Sequence, residues 1–213
     1  MTLDAIFFLV ILIFSVMLHE LAHGYTADFL GDPTARLAGR LTLNPLKHID
    51  PMGSIILPLL LKLSGSPILI GYAKPVPYNP YNLQGKHAEA FVAAAGPATN
   101  IALAVIFGLL VRWYAPSTDI SALPPLLDAF ASISFINMLL ALFNLIPVPP
   151  LDGSKVLSGI LPGALGHAYD RFRSRFERLG VLSGTLIILI VFYLLAPEFG
   201  SLLNALLHLL TGL

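Results

Sequence analysis

Long apolar runs, separated by short polar clusters, dominate the pattern of this chain. Residues 90–111, 129–151 and 179–197 carry no charged side chain. A transmembrane helix needs about 20 predominantly apolar residues, so we predict that each of these runs spans a membrane. Residues 5–18 are also apolar, but they are long enough only if their helix continues through the polar residues up to His23.

The region between the first apolar run, which ends at His23, and the span 90–111 has a different pattern, because proline and glycine interrupt short apolar stretches. Residues 55–61 and 68–70 are each too short to cross a membrane. Ile68 to Ile70, followed by Gly71, is typical of a short strand or hairpin arm. We therefore predict a short re-entrant or interfacial β-like element here. The apolar run 199–213 is predicted either to lie in the interface or to complete a final hairpin.

Composition supports a membrane protein. Hydrophobic residues make up 56% of the 213 residues and charged residues only 11%, whereas a soluble domain usually carries about 25% charge. The chain is therefore predicted to be an all-α polytopic membrane protein of about four to six transmembrane helices. Twelve basic residues balance 12 acidic ones, so no nucleic-acid partner is expected. Without cysteine there is no disulfide, thiolate zinc site or cysteine nucleophile.

The distribution of positive charge predicts the orientation. If four runs span, every lysine and arginine except Arg112 falls on the same side. Basic loops stay in the cytoplasm, so we expect a multi-pass protein of the cell membrane with its N-terminus outside. The first four residues carry no basic side chain, so a cleaved signal peptide is not expected.

A candidate metal site ends the first apolar run, in the pattern His19-Glu20-Leu21-Ala22-His23. Two histidines four residues apart lie on one face of a helix, with Cβ atoms about 5–6 Å apart. Both imidazoles can therefore bind one zinc ion. Zinc lowers the pKa of a bound water to about 7, and Glu20 is placed to take the proton and pass it to the leaving amine. The alternative is a helix end whose polar residues only reach toward the cytoplasm.

A catalytic zinc usually takes a third protein ligand. The candidates elsewhere in the chain are Asp152, Glu89, His87, His48, Asp50 and His167. We favour Asp152, because Pro147, Pro149 and Pro150 stop the preceding helix and turn the chain on the same side as His23. Gly153 leaves room beside the carboxylate. The alternative is that Asp152 only caps the following helix.

These motifs together resemble the site-2 protease family of intramembrane zinc metalloproteases. The similarity covers about residues 5–160. It is carried by the His-Glu-x-x-His motif and by the later Asn144-x-x-Pro-x-Pro-Pro-Leu-Asp152-Gly153. Supporting signatures begin at Leu43 (LNPLKHIDP), Gly71 (GYAKPVP) and Gly96 (GPATN).

The resemblance implies one Zn²⁺ per chain, held by His19, His23 and Asp152, with Glu20 as the catalytic base. It also implies that Asn144 stabilises the oxyanion or positions the substrate. The chain looks like the compact, core-only type without a PDZ or CBS domain. We therefore expect a single integral-membrane protease domain over residues 1–213, with a catalytic core at about 5–160 and C-terminal helices at about 160–213.

The expected activity is hydrolysis of peptide bonds within transmembrane segments of other proteins, near the cytoplasmic face. Such cleavage would release a signalling domain or clear remnant signal peptides. Because a helical substrate hides its backbone groups, the residues near 68–76 are predicted to bind it as an added edge strand. Ile70, Gly71 and Asn100 are the candidate substrate contacts. The alternatives are a membrane transporter or channel, and a zinc-binding scaffold without turnover.

Overall fold

The computed structural model describes residues 3–50, 74–115, 123–178 and 180–213. Its helices, in chain order, are α1 (Leu3–Phe29), α2 (Thr34–Leu37), α3 (Ala88–Tyr114), α4 (Pro125–Asn144), α5 (Asp152–Ile160), α6 (Gly163–Glu177) and α7 (Gly180–Thr211). Short 3₁₀ turns occupy Pro45–Lys47 and Pro80–Asn82. No strand occurs in the described residues. Ile70, Gly71 and most of the predicted β-like element lie outside them.

Four stretches are long and apolar enough to cross a membrane: Ile6–Phe29, Ala88–Tyr114, Pro125–Asn144 and Tyr193–Thr211. The prediction of an all-α polytopic protein is therefore confirmed. The first helix continues through the metal-site motif, as required for it to span.

The C-terminal region differs in detail from the prediction. Residues 179–197 were expected to span alone, but α7 runs without a turn from Gly180 to Thr211 and contains Pro197. A helix of 32 residues is about 48 Å long, longer than a hydrocarbon core of about 30 Å. The run 199–213 thus continues α7 and does not form a hairpin.

The helices pack through small and polar residues and turn their large apolar side chains outward. Ala104 on α3 and Ala141 on α4 are fully buried. A Cβ on Gly108 would lie 2.9 Å from both Leu210 Cβ and Ser134 Oγ. Small residues allow close approach of helices in membranes, where burial of large apolar groups gives no advantage over lipid. Consistently, Phe7 on α1 and Leu109 on α3 are exposed.

Helix α3 is the central element that brings the candidate site together. It packs against α1 on one side and against α4 and α5 on others. The second half of α1, which carries the two histidines, therefore faces the same helix as the start of α5, which carries Asp152. This arrangement joins motifs that are more than 120 residues apart in the sequence.

Candidate metal centre

The side chains of His19, His23 and Asp152 converge between α1, α3 and α5. The Nε2 atoms of the two histidines are 3.0 Å apart. Oδ2 of Asp152 lies 3.1 Å from His19 Nε2 and 3.2 Å from His23 Nε2. The three side chains are only 8%, 11% and 14% exposed, so the cluster is nearly shielded from solvent. No other trio of His, Asp or Glu side chains in the described residues is close enough to hold a metal ion.

Hydrogen bonds behind each imidazole fix which nitrogen faces the cluster. His19 Nδ1 lies 2.5 Å from Asn100 Oδ1, and His23 Nδ1 lies 2.7 Å from the backbone oxygen of Val92. Both partners are acceptors, so each Nδ1–H donates and each Nε2 presents a lone pair in the neutral ring. Two lone pairs and one carboxylate oxygen therefore point at the same space. A cation between them would turn this mutual repulsion into attraction.

The spacing of the three atoms suits zinc. Tetrahedral zinc holds nitrogen and oxygen ligands at about 2.0–2.2 Å, which places the ligand atoms about 3.3–3.6 Å from one another. The observed separations of 3.0–3.2 Å are close to that triangle. The donor set of two imidazoles and one carboxylate is also one that catalytic zinc uses.

The turn between α4 and α5 delivers Asp152 to the histidines. Leu151 occupies the N-cap position of α5, and Asp152 is the first helical residue. A Cβ on Gly153 would overlap the backbone oxygen of Leu145 and lie 2.7 Å from that of Ile146. Glycine is thus required here because the start of α5 presses against the end of α4. The alternative that Asp152 is itself the helix cap does not hold, because its carboxylate is directed at the histidines.

The electrostatics of the Asp152 carboxyl follow from these contacts. Burial raises its pKa, but in the metal-free site the imidazoles of His19 and His23, which donate to the carboxylate when Nε2 is protonated, outweigh burial and hold the pKa well below the ordinary value. The carboxylate also lies in the first turn of α5, where the helix dipole favours negative charge. Asp152 is therefore ionised at neutral pH, as a metal ligand must be.

Gly96 on α3 provides the space in which the histidines meet. A Cβ at this position would lie 2.5 Å from His23 Nε2 and 2.6 Å from His19 Nε2. Such distances are shorter than any van der Waals contact, so no other residue fits beside the present rings. The sequence indicated Gly96 only as part of a family signature, because its role depends on how α3 packs against α1.

A buried chain of amides continues from His19 into the membrane interior. Asn100 accepts from His19 and donates through Nδ2 to Asn137 Oδ1 at 2.7 Å. Asn137 Nδ2 in turn donates to Ser15 Oγ at 2.9 Å. Both asparagines are fully buried. Asn100, predicted as a substrate contact, holds the ring of His19, and it does not line the pocket beside the cluster.

Replacing Asn100 with alanine is expected to lower zinc affinity about 10–100-fold, the usual cost of removing the hydrogen-bond partner of a ligating histidine. The ring would lose both its orientation and its fixed tautomer. Competition with a zinc chelator measures the change. Asn204→Ala, at an exposed position of α7, is the matched control. Unchanged affinity in the Asn100 variant would contradict the role.

Residues 74–78, here called the strap, cross α1 beside the cluster. The backbone N–H of Val76 donates to Glu20 Oε2 at 2.8 Å. Val76 is buried, and a Cβ on Gly24 would lie 2.7 Å from its Cγ1. Gly24 thus allows the strap to approach α1 closely. One carboxylate oxygen of Glu20 is fixed in this way, and the same side chain lines the pocket.

Hydrogen bonds hold the chain at the first residue of the strap and just beyond its last residue. The guanidinium of Arg40 donates to the backbone oxygen of Lys74 at 2.8 Å, and the N–H of Lys74 donates to the backbone oxygen of His48 at 2.9 Å. Beyond the strap, the carboxylate of Asp32 accepts from the N–H of Asn79 at 2.6 Å. The position of Glu20 therefore depends on residues of the loops that follow α1.

A pocket of about 220 Å³ lies against the cluster. A water molecule occupies about 30 Å³, so there is room for water and a peptide group together. Glu20 and the three cluster residues line it. Other lining residues come from the strap, α3, the end of α4 and the start of α5: Val76, Tyr78, Ala93, Asn144, Leu151 and Lys155.

Only some of the residues that the sequence predicted for the site lie at the cluster or in the pocket. Asn144 is the last residue of α4 and lines the pocket, with one amide N–H donated to Leu140 O at 3.0 Å. The other candidates for a third ligand lie elsewhere: His48 bonds the backbone of Thr42, His87 that of Gly159, and Glu89 pairs with Arg173. Asp50 and His167 are also outside the cluster. Sequence reasoning did not identify Tyr78 or Lys155, which no motif marked.

Comparison with known proteins agrees with this geometry. The family model of peptidase family M50 matches residues 115–191, which include Asn144 and Asp152. "Putative zinc metalloprotease YwhC" of Bacillus subtilis (strain 168) is 42% identical over 160 residues, covering 73% of this chain and 69% of that protein. "Putative zinc metalloprotease Rip2" of Mycolicibacterium smegmatis (strain ATCC 700084 / mc(2)155) is 34% identical over 144 residues, covering 67% and 52%. The chain spans about half the length of Rip2. No solved structure matches the chain.

The resemblance drawn from the motifs is therefore confirmed, and with it the expectation of zinc. The likeness to YwhC extends over most of both proteins, and the span helices agree with a membrane enzyme. The chain belongs to peptidase family M50, the site-2 proteases, and is a multi-pass zinc metalloprotease.

Proposed function

We propose that this protein hydrolyses peptide bonds within transmembrane segments of other membrane proteins, with His19, His23 and Asp152 holding the zinc and Glu20 acting as the base. The observation that carries the proposal is the convergence of two imidazole lone pairs and one carboxylate oxygen in a pocket that Glu20 also lines. Bound zinc supplies a Lewis acid that activates water at neutral pH.

Glu20 moves the proton in this scheme. It accepts a proton from the attacking water, whose oxygen forms a bond to the scissile carbonyl carbon while the C=O electron pair moves to the carbonyl oxygen. When the C–N bond breaks, Glu20 returns the proton to the leaving nitrogen, which departs as an amine. The bond from Val76 N–H keeps one Glu20 oxygen fixed during both transfers. Asn144 has a second amide N–H that can donate to the substrate.

The depth of the cluster supports a substrate inside the membrane. The histidines lie within the span Ile6–Phe29, and the described helices surround them with apolar outer faces. A substrate helix must lose its internal hydrogen bonds before its carbonyl reaches the pocket. The distribution of basic residues supports a cytoplasmic location for this end of the molecule, with the N-terminus outside the cell membrane. Substrate contacts at Ile70 and Gly71 stay a prediction.

The test compares purified wild type with Glu20→Gln in detergent. Both are expected to bind one zinc per chain, because Glu20 is not a ligand. The wild type should cleave a model transmembrane substrate, and the variant should be slower by about 10²–10⁴-fold. Glu198→Gln, an exposed position of α7, is the matched control.

The alternatives predict other outcomes. A non-catalytic zinc scaffold or a transporter would leave the substrate intact with all three proteins, although zinc is bound. Equal cleavage by wild type and Glu20→Gln would reject Glu20 as the base while leaving the protease assignment in place.

A further inference from the structure

One residue that lines the pocket, Lys155, has a positively charged side chain to which the proposed function gives no role. Lys155 follows Asp152 by three residues on α5, so both side chains leave the same face of that helix. Its Nζ lies 5.1 Å from the ring centroid of Tyr78, within the range of a cation–π interaction. Because Tyr78 belongs to the strap, this contact joins α5 to the strap at the side of the pocket.

The ammonium of Lys155 forms no ion pair within the part of the chain that the structure describes. No carboxylate in the described residues lies within ion-pair distance of it, whereas Arg36 pairs with Asp28 and Arg173 with Glu89, each at 3.1 Å. Tyr78 engages only part of its donor capacity, since an ammonium has three N–H donors. Lys155 therefore presents both charge and hydrogen-bond donors to the pocket.

The surroundings keep this group charged. Burial opposes the charge, but Tyr78 and the carboxylates of Asp152 and Glu89 outweigh burial and raise the pKa of Lys155 above its ordinary value. Lys155 is thus a cation at neutral pH. In a partly desolvated pocket, a fixed cation interacts more strongly with a developing negative charge than it would in water.

We propose that Lys155 is a further catalytic residue, whose ammonium donates a hydrogen bond to the carbonyl oxygen of the scissile peptide as that oxygen becomes negative. This rests on the proposed function, in which the C=O electron pair moves onto that oxygen when water adds to the carbon. The proton stays on Lys155 throughout, and the oxygen regains its double bond when the C–N bond breaks.

The position of Lys155 favours the scissile carbonyl over a substrate side chain. Lys155 lies three positions after Asp152, a helical rise of about 4.5 Å, and both side chains line the same pocket. A lysine that selected acidic side chains of the substrate would act before the reaction and change binding. A lysine that stabilises the oxyanion changes the rate of the chemical step.

The experiment measures zinc content, kcat and KM for the full chain with Lys155→Met, using a model transmembrane substrate. We expect zinc content and KM to be unchanged and kcat to fall about 10²–10³-fold, the usual cost of removing one donor to an oxyanion. Lys86→Met is the matched control, because Lys86 is exposed and does not line the pocket. In Lys155→Ala, added ethylammonium should restore part of the lost kcat.

Three results would overturn the proposal. Normal kcat in Lys155→Met would show that the ammonium is dispensable. Loss of zinc would make Lys155 a structural support of the metal centre. A raised KM with unchanged kcat would indicate binding of an acidic substrate side chain. Each of these is read against a wild type that cleaves and a Glu20→Gln variant that is slower, so the failure of this proposal is distinct from failure of the proposed function.

Discussion

Gly96→Ala is expected to abolish zinc binding and, with it, all cleavage. The new methyl group would lie 2.5–2.6 Å from the Nε2 atoms of both histidines, so at least one ring must rotate away or α3 must move from α1. Either change separates the lone pairs that form the metal centre. Carbon atoms in contact are normally about 3.5–4.0 Å apart, and a small adjustment therefore does not relieve the overlap.

Elemental analysis of the purified variant, together with the cleavage assay, checks this expectation. Gly200→Ala is the matched control, because a Cβ at that helical position meets nothing within 4 Å. The control should keep its zinc and its activity. If Gly96→Ala retained one zinc per chain and normal turnover, the close packing of α1 against α3 at this glycine would be wrong.

Asp152→Asn is the second substitution with a large expected effect. The amide has nearly the shape of the carboxylate but no negative charge, and its nitrogen cannot act as a ligand. Loss of an outer hydrogen-bond partner typically costs about 10–100-fold in metal affinity, and loss of the charged ligand itself should cost more. We expect zinc to be lost during purification in the presence of a mild chelator, and cleavage to disappear.

Asp128→Asn makes the same chemical change at an exposed position in the first turn of α4, and it should behave like the wild type. Zinc titration distinguishes a weakened site from a misfolded chain, because excess metal should partly restore cleavage only in a folded variant. Full metal occupancy and full turnover in Asp152→Asn would remove Asp152 from the metal centre.

The parts of the site that the sequence predicted are those governed by local rules. The spacing of His19 and His23 is a property of any helix. Asp152 could be chosen among six candidates because three prolines end the helix before it and turn the chain. The spans were predictable because lipid demands about 20 apolar residues wherever a helix crosses.

The remaining features depend on contacts between distant elements. Gly96 matters only because α3 lies against the two histidines, and glycine is frequent in membrane helices simply because it lets neighbouring helices pack closely. The bond from Val76 to Glu20 joins residues 56 apart, and no periodicity predicts it. Lys155 and Tyr78 belong to no motif and become neighbours only when the strap passes α5. Hydropathy also did not show where α7 ends, because its apolar pattern continues on both sides of Pro197.

The three candidate ligands come from two helices that both pack against a third, and this has a thermodynamic consequence. The free energy of ion binding contributes to the stability of the folded chain, because the unfolded chain does not bring the three donors together. An ion present at 100 times its dissociation constant would add about 2.7 kcal/mol to the folded state. Conversely, any substitution that loosens the seam between α1 and α3 would weaken metal retention, even if it lies far from every ligand. Loss of the ion is therefore a sensitive sign that the bundle has opened.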